Sequence, residues 1–212
     1  MTETVAVVDY GMGNLHSVGK ALERAADHQR IVISGDPDVV RTADRVIFPG
    51  VGAIRDCIGV LRESGLDQAI LSVAAAGRPL LAICAGMQAL MSHSEENDGV
   101  DCLGLFPGVV RRFPEQLDEL GQRMKVPHMG WNRVQQTSHP LWEGIEDHSR
   151  FYFVHSYYVT ELPEEQIAGS CEYSAHFAAA AVRDNVFAVQ FHPEKSAPHG
   201  LVLLENFLRW QP

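Results

Sequence analysis

The stretch PLLAICAGMQAL, Pro79–Leu90, decides the fold and raises the functional question. Its first residues form a short apolar run without polar alternation, the pattern of a strand buried on both faces. Cys84 ends the run, and Met87, Leu90 and Met91 then fall on one helical face. Strand, sharp turn and helix with a reactive side chain at the corner is the arrangement of a nucleophile elbow. Strand and helix approach closely at such a corner, so the neighbours must be small. Ala82 and Gly86, two positions away on either side, meet that demand. The helix start places amide N–H groups beside the sulfur, where they favour thiolate, and the N–H of Ala85 is placed to donate to an oxyanion. A free cysteine closing a core strand fits the same residues. The segment by itself leaves Cys84 balanced between core filler and nucleophile.

Outward from this stretch, the N-terminal half alternates strands and helices. TVAVVDY, RIVIS and DRVIFPG read as strands. Leu15, Val18, Leu22 and Ala25 mark one helix, and Ile54, Ile58 and Leu61 a second. GLDQAILSVAAAG is a further helix, with Gly77 as its C-cap. Apolar strands separated by helices predict a parallel sheet covered on both faces. The second half changes character. WNRV, FYFVHSYYV, IAGSCEY and HFAAAAVRDNVFAVQF read as strands, with a hairpin at Asp184-Asn185. Leu201, Leu204 and Leu208 close the chain on one helical face. No repeat or linker divides residues 1–212, which read as a single domain.

A cysteine nucleophile needs a base, and the base needs an orienting group. In VQFHPEKS, His192 and Glu194 stand two apart at a strand end, so extended geometry points them the same way. Pro193 biases His192 away from helical angles. Taken alone, this segment reads more simply as a solvated turn after an edge strand. No H-E-x-x-H is present, and His192, Glu194 and His199 match no common metal spacing, so neither a metal nor a cofactor is called for.

Taken together, AICAGMQ and FHPE resemble the nucleophile and base motifs of class I, triad-type glutamine amidotransferases, over essentially the whole chain. The resemblance implies a three-layer, flavodoxin-like α/β fold with a mixed central sheet and a smaller antiparallel sheet. It implies that Cys84 attacks the side-chain amide of L-glutamine, forming a γ-glutamyl thioester and releasing ammonia. His192 then activates water, supported by Glu194. That family usually has glycine where this chain has Ala82. DYGMGNLHSV, FPGVGA, CLGLFPG, PHMGWN, HSYY and HPEKS are similar to one branch, the glutaminase subunits of imidazole glycerol phosphate synthases. There the loop matching Gly50, Val51 and Gly52 rearranges to complete the oxyanion hole with Ala85. Glycines flanking Val51 make such a peptide flip cheap. By the same resemblance Gln88, His155, Ser156 and Tyr157 bind glutamine, while Gly11, Met12, Asn14 and Lys195 face the partner. That partner is a separate (β/α)8-barrel cyclase subunit, which uses the ammonia in histidine biosynthesis. Three other readings stay open: a glutaminase for a different acceptor synthase, a stand-alone γ-glutamyl hydrolase, and a catalytically silent binding protein on the same fold.

Composition limits the setting. The 212 residues are 46% hydrophobic, enough for a sizeable core, and carry a formal charge of −10. An acidic chain argues against nucleic acid or an anionic membrane surface as partner. GMGN is no dinucleotide loop, because His16 stands where the third glycine of G-x-G-x-x-G belongs. Four scattered cysteines without a C-x-x-C pair suit a reducing cytosol, and Cys57, Cys102 and Cys171 read as core filler. With neither a signal-peptide pattern nor an apolar run long enough to span a bilayer, the expected location is cytoplasmic.

Overall fold

A computed structural model describes residues 2–115 and 124–212. The first strands are β1 (Thr4–Val8), β2 (Arg30–Ser34), β3 (Arg45–Gly50) and β4 (Leu80–Cys84). Short strands β5 (His93–Ser94) and β6 (Val100–Asp101) follow, then β7 (Val109–Arg112), β8 (His128–Arg133) and β9 (Gln135–Gln136). The remaining strands are β10 (Arg150–His155), β11 (Tyr157–Thr160), β12 (Ile167–Glu172), β13 (His176–Arg183) and β14 (Val186–Val189). Among the described residues six α-helices intervene: α1 (Leu15–Ala25), α2 (Pro37–Thr42), α3 (Ile54–Ser64), α4 (Leu66–Ala75), α5 (Ala85–Ala89) and α6 (His199–Arg209).

The large sheet runs β2-β1-β3-β4-β14-β13-β11-β7-β5-β6, with β12 also on β13 and β9 on β12. It is parallel from β2 through β14 and antiparallel from β14 through β13 and β11 to β7. Side chains alternate across it, which is why the parallel strands needed no polar residues. Ala6, Val8, Val46 and Phe48 face a layer holding Val40, Ile58 and Ile70 from α2, α3 and α4. Val5, Val7, Ile47 and Leu81 face the opposite layer, with Leu22 of α1 and Leu203 and Phe207 of α6. The mixed three-layer α/β fold expected from the sequence is what the chain adopts. Among the described residues no helix is long and apolar enough to cross a membrane.

Three local expectations are corrected. FYFVHSYYV is not one strand: it breaks at Ser156, so that β10 pairs with β8 in a separate two-stranded sheet while β11 joins the large one. The helix after Cys84 ends at Ala89, and Leu90 and Met91 continue as fully buried turn residues. The last strand stops at Val189, short of His192. Helix α4 has Ala76 as its C-cap, one residue before the expected Gly77, which follows at φ 72° in the left-handed position that closes the helix. The Asp184-Asn185 turn does connect β13 to β14.

Candidate active site

In an open α/β sheet, ligands gather beyond the carboxyl ends of the parallel strands. Here β3, β4 and β14 end side by side, and Gly50 pairs with Cys84 in register. Cys84 is held at φ 55° and ψ −114°, a conformation that costs a non-glycine residue on the order of 1–3 kcal/mol. The crossing is as tight as an elbow requires. A Cβ on Gly86 would collide with the Phe48 carbonyl oxygen, and one on Gly50 would lie 2.6 Å from the Gly86 nitrogen. The methyl of Ala82, by contrast, is fully buried in the layer of Phe48 and Ala188 without disturbing the register.

His192 and Glu194 reach the site from a turn rather than a strand. His192 has extended backbone angles and starts a single 3-10 turn over Pro193–Lys195. That turn, not strand alternation, brings Glu194 Oε1 to 2.9 Å from His192 Nδ1, with both side chains almost wholly buried. The backbone N–H of His192 donates to the Tyr152 carbonyl at 2.9 Å. Ser196 Oγ donates to the His192 carbonyl at 2.6 Å and accepts from the Tyr152 N–H at 2.9 Å. His192 Nε2 is buried without a hydrogen-bond partner among the described residues, which leaves it available to reacting groups. Burial opposes the imidazolium, but the Cys84 sulfur and the Glu194 carboxylate outweigh it and hold the His192 pKa well above the ordinary histidine value. The other three cysteines are buried free thiols, and burial pushes Cys102 and Cys171 up to about 12. Cys102 and Cys171 are core filler by chemistry as well as by position, while Cys57 also reaches the loop at Val51.

Cys84, Ala85, Gln88 and His192 line one cavity of about 400 Å³ together with Val51, Gly52, His155, Ser156, Tyr157 and Lys195. Gly50 lies beneath this wall, packed on the first turn after Cys84. Cys57 Sγ donates to the Val51 carbonyl at 3.6 Å, and Glu96 accepts from the Ile54 N–H at 2.8 Å, so both ends of the Val51–Ala53 loop are tied down. Gln88 Nε2 donates to the Tyr157 carbonyl and to Gln190 Oε1, each at 2.9 Å, and Gln190 Nε2 lies 3.7 Å from Cys84 Sγ. His155 is on the wall with both ring nitrogens engaged within the protein, on His128 and on the Tyr157 carbonyl. Lys195 stays exposed, its Nζ 5.8 Å from the Tyr152 ring centroid. The loop carrying Gly11, Met12 and Asn14 abuts the same rim: a Cβ on Gly52 would lie 2.8 Å from Met12 Cε.

Sequence reasoning missed Gln190, His128, Glu96 and Ser196. Gln190 had a signal, as the one polar residue in the apolar run VFAVQF. His128 and Ser196 stood inside the quoted segments PHMGWN and HPEKS, but nothing local marked their contacts with His155 and with the Tyr152 N–H on β10.

The arrangement is a buried Cys–His–Glu constellation lining one cavity with Gln88 and the Val51–Gly52 loop. A family model for class-I glutamine amidotransferases matches residues 6–210. A relative from Pseudomonas aeruginosa named imidazole glycerol phosphate synthase subunit HisH 1 is 58% identical over 211 residues, covering 99% of this chain and 98% of the relative. The HisH subunit of Methylococcus capsulatus is 56% identical over 212 residues, covering 99% and 97%. Among solved structures, PurLQS from Thermotoga maritima superposes with a TM-score of 0.74 at 17% identity, covering 99% of each chain. The glutaminase domain of Trypanosoma brucei CTPS gives 0.65 at 18% identity, covering 100% and 96%. The two distant structures share the fold, and the match from residue 6 to residue 210 carries the assignment: this chain belongs to the class-I glutamine amidotransferases.

Proposed function

We propose that this chain is the glutaminase subunit of an imidazole glycerol phosphate synthase, feeding ammonia to a (β/α)8-barrel cyclase subunit. The observation that carries the chemistry is Cys84, strained at the strand–helix corner and sharing its cavity with His192. Identity of 58% and 56% to HisH subunits, over nearly the whole of each chain, supports the choice of acceptor.

Cys84 gives its proton to His192 Nε2, and the sulfur attacks the γ-carboxamide carbon of glutamine. As the C–S bond forms, the carbonyl electron pair moves onto oxygen, where the amides of Ala85 and Val51 receive it. Collapse breaks the C–N bond, and the departing nitrogen takes the proton from Nε2 and leaves as ammonia. Water then gives a proton to Nε2 and attacks the thioester carbon. The C–S bond breaks, the proton returns to sulfur, and glutamate is released. Glu194 keeps the imidazole oriented throughout and stabilises its charged form. Lys195 and the Gly11–Asn14 loop form the rim against which the cyclase docks.

The acceptor assignment is tested by co-expressing the chain with the cyclase from the same source. Glutamine-dependent formation of imidazole glycerol phosphate is expected. A complex that makes this product from ammonium salts but never from glutamine would point to a different acceptor.

A further inference from the structure

Two buried histidines stand outside the triad and take no part in the chemistry above. His128 opens β8 and His155 closes β10, directly opposite one another in register. His128 Nδ1 lies 3.0 Å from His155 Nε2, and His155 Nδ1 lies 2.8 Å from the Tyr157 carbonyl oxygen. Asn132 Nδ2 lies 3.3 Å from His128 Nε2. A carbonyl oxygen only accepts, so His155 carries its proton on Nδ1 and accepts at Nε2. His128 therefore donates from Nδ1, and its Nε2 is left to accept from the Asn132 amide. One fixed end sets every proton in the row. Burial keeps both rings neutral, lowering His128 to about 4 and His155 to about 3, the latter despite its bond to the Tyr157 carbonyl. The His128 ring is clamped between Phe153 and Tyr173, at centroid distances of 5.0 and 4.0 Å, each 22° from parallel.

The row ends at the glutamine pocket. The Tyr157 carbonyl that accepts from His155 also accepts from Gln88 Nε2. Because Gln88 Nε2 is committed to Tyr157 and Gln190, its Oε1 is the atom left to face a donor on the substrate. We propose that His128 and His155 are positioning residues, a fixed-tautomer relay that holds the Ser156–Tyr157 break and, through the Tyr157 carbonyl, sets the amide orientation of Gln88. This rests on the glutaminase reading for its consequence in catalysis, though not for its geometry.

Two experiments test it. Nitrogen-15 NMR of the histidine rings in the wild-type chain is expected to find both His128 and His155 neutral, protonated on Nδ1 and bare on Nε2. Either ring protonated on Nε2 would overturn the relay, whatever the enzyme's activity. In the complex with the cyclase, His128→Phe keeps an aromatic ring in the stack but removes the donor. The KM for glutamine is expected to rise about tenfold, the effect of one buried hydrogen bond left unmade, with ammonia-dependent turnover unchanged. His128→Asn, whose Nδ2 can stand where Nδ1 stood, is expected to recover most of that loss. An unchanged KM in His128→Phe, or no recovery in His128→Asn, would overturn the positioning role. A wild-type complex without any glutaminase activity would instead strike the function reading, leaving the tautomer result to decide the relay.

Discussion

His192 carries the most information of any single residue in the site. Its Nδ1 is fixed by Glu194, and among the described residues no hydrogen bond occupies its Nε2. Its pKa is raised against the effect of burial by the sulfur and the carboxylate together. Removing one of the two must lower it. In Glu194→Gln the His192 pKa is expected to fall, read by NMR titration, and glutamine hydrolysis to drop about 10²-fold or more, the usual scale for a disarmed general base. The sign of the stability effect follows. A histidine whose pKa is raised by folding adds stability that is complete below its unfolded value near 6.5 and is lost as pH climbs through the folded value. The Tm difference between wild type and Glu194→Gln should therefore be widest at neutral pH and below, and narrow in alkali. A difference that widens with pH would contradict the assignment. Ala82, where the family usually has glycine, raises no such question, because its methyl fills the core beside Phe48 and Ala188.

At the scale of elements, the site exists because three parallel strands end together and the strand–helix corner is unusually close. Gly86 measures that closeness: in Gly86→Ala the new Cβ would meet the Phe48 carbonyl oxygen, a backbone atom with no side-chain freedom to yield. Urea denaturation is expected to show a loss of about 1–3 kcal/mol or more with an unchanged slope. A neutral substitution would mean that the elbow is looser than described. The same elements show what sequence alone could reveal. Apolar strands β1, β3 and β4 were legible because burial on both faces leaves a continuous apolar run, and α1, α3 and α4 by their helical spacing, whereas the six-residue α2 was too short to show a period. Cys84, His192 and Glu194, which the fold brings to one site, stood out because each sits in a short, unusual motif. The break at Ser156 was not, since FYFVHSYYV is uniformly strand-like and only pairing with different neighbours divides it. Strands of two residues, such as β5, β6 and β9, are too short for any period to register. His128 and Gln190 escaped because their roles are contacts across strands, which local pattern does not encode.

For the molecule as a whole, ammonia made in water at neutral pH is largely protonated and no longer nucleophilic. A glutaminase that feeds an acceptor works best with its cavity closed against a partner. The rim of this cavity joins the Gly52 loop to Met12, and Lys195 stands exposed beside it. The docking proposed at this rim would bear directly on the loop proposed to complete the oxyanion hole. The free chain is expected to hydrolyse glutamine slowly and to accelerate, by tenfold or more, when the cyclase and its nucleotide substrate are added. Equal rates with and without the partner would show that the loop is already set. The central claim is that Cys84 is the nucleophile of a glutamine-dependent ammonia supply, and the most direct measurement compares two nitrogen sources in one Cys84→Ala complex. Product formation from glutamine should vanish while formation from ammonium salts continues at the wild-type rate. Loss of both, or survival of the glutamine-dependent rate, would contradict the account.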